Sequence, residues 1–306
     1  MNDVIVSKVN GDIVLTININ EIDNIDFDNI ELFLFSEETN DFKEIIINDV
    51  NVLAIKNKPD SCIEYEKLTF IEKYFTHIKK IILSKYSYEN ISAIYKLENL
   101  ESLKSTGLVK KEFDFNKLLT LKKVFIEYSK NFNSIFNCEN LTELEMHKFP
   151  EKGSTKFIRL ISLKKLILRH FKMTELEAIS KLSKLEYLEI SHNRAIDNLD
   201  FISQNTTIKE LHIMNCPKIK DFSSLSGMKN LEKLSFENQK EIPSLDFVKD
   251  IPKLKRLGVV GSSNVIDGKL KWLLDNDNIQ ISCEVKKHYD VKWDKDKEDN
   301  FIIVPK

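Results

Sequence analysis

A short apolar motif recurs nine times along this chain, from Ile78 to Val259, at steps of 20 to 23 residues. Apolar side chains stand at its first, fourth and sixth positions, and only Ser105 breaks this pattern. A period of about 20–29 residues predicts a solenoid built from stacked units, because a single unit cannot bury its apolar face alone. The first, fourth and sixth residues of the nine units are Ile78/Ile81/Leu83, Leu100/Leu103/Ser105, Leu121/Val124/Ile126, Leu141/Leu144/Met146, Leu163/Leu166/Leu168, Leu185/Leu188/Ile190, Ile208/Leu211/Ile213, Leu231/Leu234/Phe236 and Leu254/Leu257/Val259.

The alternation within the motif predicts one short strand in each unit. Strand side chains point alternately to opposite faces, so the fourth and sixth positions face the core and the third, fifth and seventh point away. Later in several units apolar residues recur at a step of three, as in Ile196/Leu199/Ile202, which suits a 3₁₀ turn. We therefore expect an α/β solenoid with a parallel β-sheet on its concave side. Its core should contain Leu144, Leu166, Leu188, Leu211 and Leu234.

Two segments carry a family resemblance most clearly. They are LEYLEISHNRAIDNLDFI (Leu185–Ile202) and IKELHIMNCPKIKDFSSL (Ile208–Leu225). The chain resembles bacterial leucine-rich repeat proteins of the internalin type, whose units are about 22 residues long. The resemblance covers roughly residues 66–282 and implies a binding scaffold, although proteins of this fold have many unrelated partners.

The ninth position of each unit departs from the family pattern. That position normally holds Asn or Cys, and only Asn193 and Cys216 comply. Turn amides that lose these side chains must find other partners. We therefore expect irregular units before Leu185 and more regular units after it. The other units have Tyr86, Leu108, Ser129, Phe149, Phe171, Gln239 and Ser262 at this position.

The two ends of the chain do not follow the repeat and are predicted to be caps. Residues 1–65 form an acidic, β-rich N-terminal cap, in which Asn10 and the glycine after it predict a hairpin turn. The repeats then occupy residues 66–282, and residues 283–306 form a C-terminal capping tail. This tail ends in an apolar strand at 301–304, and Trp293 is its expected anchor. Caps are needed because the ends of a solenoid expose apolar core.

Charge is unevenly distributed along the chain, although the net charge is only −2. Residues 1–60 have 13 acidic side chains and 4 lysines, whereas the other 246 residues have 42 basic and 35 acidic side chains. Such asymmetry can attract a basic partner to one end, or it can simply reflect a solvated acidic surface.

No motif in the sequence predicts catalysis or a bound cofactor. The chain has no P-loop, G-x-G-x-x-G, H-E-x-x-H or G-x-S-x-G motif. The acidic run DNIDFD lacks the glycine and final glutamate of a calcium-binding EF-hand loop. The cysteines are scattered without zinc-finger spacing and are interpreted as structural thiols: Cys62, Cys138, Cys216 and Cys283. We predict no catalytic residue, cofactor or metal site.

Targeting signals are also missing from the sequence. No apolar stretch approaches the roughly 18–20 residues needed to cross a bilayer. The first residues lack the basic and apolar regions of a secretory signal, so we expect a cytoplasmic monomer without membrane contact. Export by a route that needs no signal is the alternative. Lysines are not gathered into one basic stripe, so no nucleic-acid partner is expected.

The outward strand positions are the candidate binding surface. They mix charges of both signs with apolar groups, as protein–protein interfaces do, and concave repeat surfaces commonly bind partners. Phe125, Ile167, Tyr187 and Met214 are expected to face solvent. The candidate binding residues are Phe125, Tyr128, Glu145, Ile167, Arg169, Tyr187, Glu189, His212 and Met214.

Two histidines occupy equivalent positions in successive units. His170 and His192 should lie about 5 Å apart, which is one strand spacing. With Glu189 nearby they also fit a metal or pH-sensitive site, but surface histidines rarely form one, so none is predicted.

These observations favour a non-catalytic protein-binding scaffold. The finer hypothesis is a bacterial adaptor, or an immunity protein that neutralises a basic toxin. The alternative is a secreted effector or enzyme whose activity lies in a non-repeat end. Residues 1–65 offer the only room for such a domain, and they contain no histidine.

Overall fold

The structure is a computed structural model that describes residues 4–10, 12–18, 25, 27, 32–36, 41–45, 47–56, 62–64, 66–83, 87–203, 205–276, 278–293 and 303–305. The chain divides into two compact units, Met1–Leu144 (unit 1) and Glu145–Lys306 (unit 2). The predicted boundaries at residues 65 and 282 stay predictions.

Unit 1 consists of short strands separated by single helical turns. Its strands are β1 (Val4–Val9), β2 (Asp12–Asn18), β3 (Leu32–Ser36), β4 (Asp41–Ile45), β5 (Val52–Lys56), β6 (Cys62–Ile63), β7 (Lys80–Leu83), β8 (Ser87–Tyr88), β9 (Ser102–Ser105), β10 (Leu108–Val109) and β11 (Lys123–Glu127). Strand β12 (Glu143–His147) contains the division between the units. The helical segments are α1 (Phe70–Tyr74) and 3₁₀ turns at Ile47–Asp49, Glu66–Leu68, Ser92–Lys96, Phe115–Lys117 and Lys130–Asn137.

The predicted N-terminal hairpin is confirmed, and it belongs to the same sheet as the repeats. Strands β1 and β2 pair antiparallel around Asn10, whose φ of 51° is the left-handed conformation that such a turn requires. Strand β2 then pairs parallel with β5, β5 with β7, β7 with β9 and β9 with β11. The short strands β6, β8 and β10 form a second parallel sheet, and β3 and β4 form a separate hairpin.

Unit 2 repeats the same alternation with greater regularity. Its strands are β13 (Lys165–Arg169), β14 (Tyr187–Ser191), β15 (Glu210–Met214), β16 (Lys233–Glu237), β17 (Arg256–Val260), β18 (Gln280–Cys283), β19 (Val291–Trp293) and β20 (Ile303–Pro305). Helical segments are α2 (Glu177–Ser180), α3 (Lys271–Leu274) and 3₁₀ turns at Thr155–Arg159, Asp200–Ile202, Ser223–Gly227 and Asp246–Asp250. Strands β13 to β18 pair parallel in chain order.

The strand register places equivalent residues of successive units side by side. Leu166 pairs with Leu188, Leu188 with Leu211 and Leu211 with Leu234. All five leucines that the motif predicted to be in the core are at most 1% exposed: Leu144, Leu166, Leu188, Leu211 and Leu234. The parallel sheet and the apolar core of the predicted α/β solenoid are therefore confirmed.

A residue in the left-handed conformation follows each of the strands β12 to β17. In the first five cases its backbone N–H donates to the carbonyl of the residue just before the equivalent position in the next unit, as in His170 to Ser191 (3.0 Å), whereas the Gly261 N–H donates to Glu284 Oε1. The bond to the carbonyl adds one more backbone hydrogen bond at the end of each strand pair, and the left-handed residue then turns the chain away from the sheet. Position eight is left-handed in six successive units: Lys148, His170, His192, Asn215, Asn238 and Gly261.

The turn after each strand is held by buried polar side chains in the later units. Asn193 Nδ2 donates to the Met173 carbonyl at 2.9 Å, and its Oδ1 accepts two backbone N–H groups. Gln239 holds a turn in the same way, although the sequence pattern did not identify it as a substitute for Asn or Cys. Its Nε2 donates to the carbonyls of Cys216 and Ile219, and its Oε1 accepts from the Cys216 N–H.

Two earlier units of unit 2 have phenylalanine at position nine instead. Phe149 is fully buried and Phe171 nearly so, and their turns pair through backbone groups. The Lys172 N–H donates to the Phe149 carbonyl, and the Thr174 N–H donates to the Lys152 carbonyl. These direct bonds satisfy the turn amides that the sequence left without side-chain partners.

The C-terminal residues form a short helix and three strands. The predicted apolar strand at 301–304 overlaps the last of them, and residues 301–302 lie outside the described residues. The helix is α3, the last repeat strand is β18, and β19 pairs antiparallel with β20. The side chain of Trp293, the predicted anchor, lies outside the described residues. Tyr289 is 1% exposed instead, and its hydroxyl accepts from the Val265 N–H at 2.9 Å.

Candidate functional site

The outward positions of β13 to β16, together with Glu145 and His147 of β12, form a continuous polar surface in unit 2. We call this surface the outer face. Seven of the nine predicted binding residues belong to it: Glu145, Ile167, Arg169, Tyr187, Glu189, His212 and Met214. Strand β12 places one of them there, and β13, β14 and β15 place two each, because alternate side chains leave the core.

Arg169 connects three strands of the outer face. Its Nε lies 3.3 Å from Glu145 Oε1, and its Nη2 lies 3.0 Å from Glu189 Oε1. The Glu189 side chain is only 8% exposed, whereas that of Arg169 is 36% exposed. A carboxylate this buried is retained as an ion only beside a compensating charge, so Arg169 supports Glu189 as well as facing solvent.

Ile167 does not face solvent, contrary to the expectation from its outward position. It is 7% exposed and pairs with Glu189 across β13 and β14. Glu189 is 6% exposed. An outward strand position is therefore not always exposed to solvent, and neither residue is a free contact for a partner.

Tyr187 is held between two groups of its own chain. The Lys165 ammonium lies 4.5 Å from the ring centroid, and the His212 ring stacks at 5.1 Å. The Tyr187 hydroxyl also donates to Glu189 Oε2 at 3.3 Å. Burial, and then the Glu189 carboxylate, raises the pKa of Tyr187, so the hydroxyl remains a donor. The half-buried ring is fixed in place before any partner arrives.

Two histidines of the outer face are each bonded to a glutamate on the same strand. His147 Nε2 lies 2.9 Å from Glu145 Oε1, and His212 Nε2 lies 2.8 Å from Glu210 Oε1. Lys233 Nζ donates to the other oxygen of Glu210 at 2.9 Å. Burial alone would raise the pKa of Glu210, but the bonds from Lys233 and His212 hold it below its ordinary value.

Several buried polar atoms near Arg169 have no hydrogen-bond partner among the described residues. They include Ser191 Oγ and His192 Nδ1. Arg169 Nε and Glu189 Oε1 also lack hydrogen bonds, although both take part in ion pairs at the distances given above. The short ion-pair distances and the lack of hydrogen bonds are consistent, because opposite charges attract even where donor and acceptor are poorly aligned. Unsatisfied buried groups of this kind are uncommon and mark this part of the face as unusual.

The remaining predicted site residues have different surroundings. Met214 is half-exposed at the end of β15. Phe125 and Tyr128 belong to unit 1, where Lys104 Nζ lies 4.6 Å from the Phe125 ring centroid. The Tyr128 hydroxyl donates to Asn133 Oδ1 at 3.3 Å.

Four residues that form ion pairs or ring contacts on the outer face were not among the predicted binding residues. Each occupies an outward position, so the alternation pattern contained the signal that could have found them. What the pattern lacked was the pairing between strands, which depends on register and side-chain length. These residues are His147, Lys165, Glu210 and Lys233.

Within the part of the chain that the structure describes, no three His, Cys, Asp or Glu side chains are grouped to hold a metal ion. No described helix is both long and apolar enough to cross a membrane. Cys138, Cys216 and Cys283 are free thiols. Burial raises the pKa of Cys138 to about 12, and that of Cys216 and Cys283 to about 11, so all three stay protonated near neutral pH.

A family model described as leucine-rich repeats, in two copies, matches residues 161–204. This segment contains β13 and β14, which carry Arg169 and Glu189. The chain contains leucine-rich repeats. Nine motif copies in the sequence and the paired parallel strands in both units agree with that assignment.

Solved structures similar to this chain include two internalins from Listeria monocytogenes str. 4b F2365. Internalin inlF is 15% identical, with a TM-score of 0.51 over 76% of this chain and 62% of that chain. Internalin C2 (inlC2) is 20% identical, with a TM-score of 0.37 over 62% of this chain and 74% of that chain. The inlF match supports the resemblance to the internalin type of fold. No curated protein is similar enough to match this chain.

Proposed function

We propose that this leucine-rich repeat protein is a non-catalytic scaffold that binds another protein on the outer face of unit 2. The observation that carries the proposal is the connected set of charged and aromatic side chains centred on Arg169 and Tyr187. A surface whose side chains are already held loses little conformational entropy when a partner docks. Repeat proteins commonly use such extended faces for binding.

The charges of the outer face are largely paired with one another, which constrains how a partner can bind. Arg169 already contacts two carboxylates, and Glu210 already contacts Lys233 and His212. A partner therefore gains most from the half-exposed Tyr187 ring and Met214, with paired charges around them. This arrangement of apolar anchors within a polar surround is typical of protein interfaces.

The finer form of the proposal is a bacterial adaptor or an immunity protein that acts in the cytoplasm as a monomer. The support is compositional, since the acidic N-terminal residues would attract a basic toxin. Asp26, Asp28, Glu37 and Glu38 of that segment lie outside the described residues. The proposed site does not depend on them.

The test begins by capturing partners with the full chain and identifying them by mass spectrometry. Binding of the purified partner is then measured for the double variant Tyr187→Ala/Met214→Ala. We expect affinity to fall by at least about 2 kcal/mol, the usual scale for losing anchor residues. Tyr187→Phe, which keeps the ring and removes only the hydroxyl, should retain most of the affinity.

The matched control is Lys181→Ala/Lys184→Ala, which changes two exposed side chains outside the strands. This pair should leave affinity nearly unchanged. Equal weakening by both pairs would indicate diffuse electrostatic attraction. Binding that survives the outer-face pair, but is lost when Asp26, Asp28, Glu37 and Glu38 are neutralised, would move the site to the N-terminal segment.

A further inference from the structure

Strands β12, β13 and β14 all end in basic residues at one edge of unit 2. Positions seven to ten of these three units contain seven Lys, Arg or His residues and no Asp or Glu. They are residues 147–150 (HKFP), 169–172 (RHFK) and 191–194 (SHNR). The next unit has MNCP at 214–217, so the repeat itself does not require basic residues there. We call five of the seven the basic edge: Lys148, His170, Lys172, His192 and Arg194.

The backbone places the residues of the basic edge side by side. The Lys148 N–H donates to the Arg169 carbonyl at 2.9 Å, and the His170 N–H donates to the Ser191 carbonyl at 3.0 Å. Position eight of one unit therefore lies one strand spacing, about 5 Å, from position eight of the next. The rings of His170 and His192 are 4.4 Å apart. Four members of the basic edge are exposed to solvent: Lys148, His170, Lys172 and Arg194.

The charge that the basic edge presents to solvent is positive. Burial lowers the pKa of His170, and four basic neighbours lower it further: His192, His147, Lys148 and Arg169. Two glutamates of the outer face, Glu145 and Glu189, are paired with Arg169 and have side chains only 23% and 8% exposed. Those carboxylates are mostly covered, whereas the cations at positions eight and ten are open to solvent.

The opposite edge of the sheet has a different charge pattern. Position two, just before each strand, alternates in sign along the units: Lys164, Glu186, Lys209, Glu232 and Lys255. Lys209 Nζ lies 3.2 Å from Glu186 Oε2, and Lys255 Nζ lies 2.8 Å from Glu232 Oε2. Charges at that edge are therefore paired within the chain. Positions seven to ten of the three units hold one sign only, which favours a negatively charged ligand.

We propose that the basic edge binds an acidic segment, rich in Asp or Glu, of the protein that docks on the outer face. The inference rests on the proposed function, because Arg169 belongs to the outer face and directly precedes His170. Charges of opposite sign across an interface speed the encounter and fix the orientation of the partner.

The size of the basic edge suits a short acidic segment. Three units extend over about 10 Å, which is two strand spacings and the length of about three residues in an extended chain. An acidic run of that length reaches all three units. The edge is shorter than the continuous basic stripe expected of a nucleic-acid-binding protein.

The test uses a fluorescently labelled hexaglutamate peptide as the probe. Its binding to the full chain is followed by fluorescence anisotropy near neutral pH, at low salt and at about 0.15 M salt. We expect saturable binding that weakens with salt, because exposed charges are screened. Bound carboxylates favour the protonated imidazole, so the peptide should raise the pKa of His170 in a histidine NMR titration. Absence of binding, or binding that leaves the pKa of His170 unchanged, overturns the proposal.

The variant Lys148→Asn/Lys172→Gln/Arg194→Gln removes three positive charges from the basic edge. Asn is tolerated at position eight, since Asn215 and Asn238 have the same left-handed conformation there. Peptide binding should weaken by about tenfold, the combined effect expected of three exposed ion pairs.

The matched control, Lys209→Gln/Lys253→Gln/Lys255→Gln, removes as many positive charges at the opposite edge and should weaken peptide binding by less than about twofold. Equal weakening by both sets would show a diffuse attraction and overturn the proposal. A six-nucleotide single-stranded DNA is the competing probe. Tighter binding of the DNA than of the peptide, lost in the basic-edge variant, would assign the edge to nucleic acid and overturn the proposal too.

The purified partner separates this inference from the proposed function. The basic-edge variant should weaken binding of both the partner and the peptide, whereas Tyr187→Ala/Met214→Ala should weaken binding of the partner alone. Partner affinity that is unchanged in the basic-edge variant overturns the inference and leaves the proposed function standing. Partner affinity that is unchanged in Tyr187→Ala/Met214→Ala contradicts the proposed anchors on the outer face instead.

Discussion

At the scale of single residues, the turn after each strand shows what a motif can and cannot reveal. Asn193 was recognised because its type and position match the family pattern, and it forms the expected bonds. Gln239 was not recognised, although it bonds two carbonyls and one N–H of the preceding turn. Its side chain is one methylene longer, and whether that extra length reaches a partner depends on the spacing between units. Residue type alone does not contain that spacing.

Gln239→Ala should therefore destabilise the protein. The change leaves the Cys216 N–H and two carbonyls without their side-chain partner in a buried turn, since Gln239 is 1% exposed. We expect the free energy of unfolding to fall by about 1–3 kcal/mol, measured by urea denaturation. The control is Lys240→Ala, a change at the neighbouring exposed residue, which should alter the free energy of unfolding by less than about 0.5 kcal/mol. Equal effects of the two substitutions would show that the turn does not depend on the glutamine.

The stability of the chain should also depend on the protonation of His170. Its pKa lies below the ordinary 6.5 in the folded state, chiefly because of burial and the adjacent His192. As the pH falls through about 6.5, His170 takes up a proton more readily in the unfolded chain than in the folded chain. The stability that neutral His170 contributes to the folded state is therefore lost as the pH falls. Urea denaturation from about pH 7.5 to 5.5 should show a smaller loss for His170→Asn than for the wild type. Identical pH dependence in the two proteins would contradict the shift.

At the scale of strands and turns, periodicity predicted which side chains face the core, but not which outward-facing side chains are buried. The inward leucines are all buried, because the apolar alternation directly records that face. Ile167 and Glu189 occupy outward positions and are nevertheless buried. Arg169 forms ion pairs with carboxylates on both neighbouring strands, and one of these carboxylates is Glu189. Contacts of this kind depend on register and rotamers, so alternation cannot predict them.

The pairing of Arg169 and Glu189 predicts an asymmetry between single and double substitutions. Arg169→Ala leaves Glu189, whose side chain is 8% exposed, without its cation. We expect a loss of about 1–3 kcal/mol in the free energy of unfolding, because a buried charged group becomes unsatisfied. Adding Glu189→Met should recover part of that loss, since both charges are then removed and the apolar surroundings of Ile167 are extended. Strictly additive losses in urea denaturation would show that the two side chains are not coupled.

At the scale of the whole chain, the acidic N-terminal region contributes strands to the repeat sheet of unit 1. The sequence predicted its hairpin from the Asn10 turn, because turn chemistry is local. It did not predict that β2 pairs parallel with β5, or that β5 pairs with β7. Partners separated by many residues are set by the stacking of units, which no short motif records. The described part of this region thus completes a core that begins at β7.

Deleting residues 1–60 should expose that core. The deletion removes β1 to β5, in which Leu15, Ile17 and Leu53 are fully buried, and leaves β7 as an unpaired edge. Solenoid ends without a cap, and apolar strand edges without a partner, favour aggregation. Size-exclusion chromatography with light scattering should therefore detect higher oligomers, and urea unfolding should lose its single sharp transition. Deleting residues 1–9 is the matched control, since it removes only β1, which has no buried side chain and leaves β2 over β5. A monomeric 1–60 deletion that unfolds like the full chain would show that the repeats need no N-terminal cover.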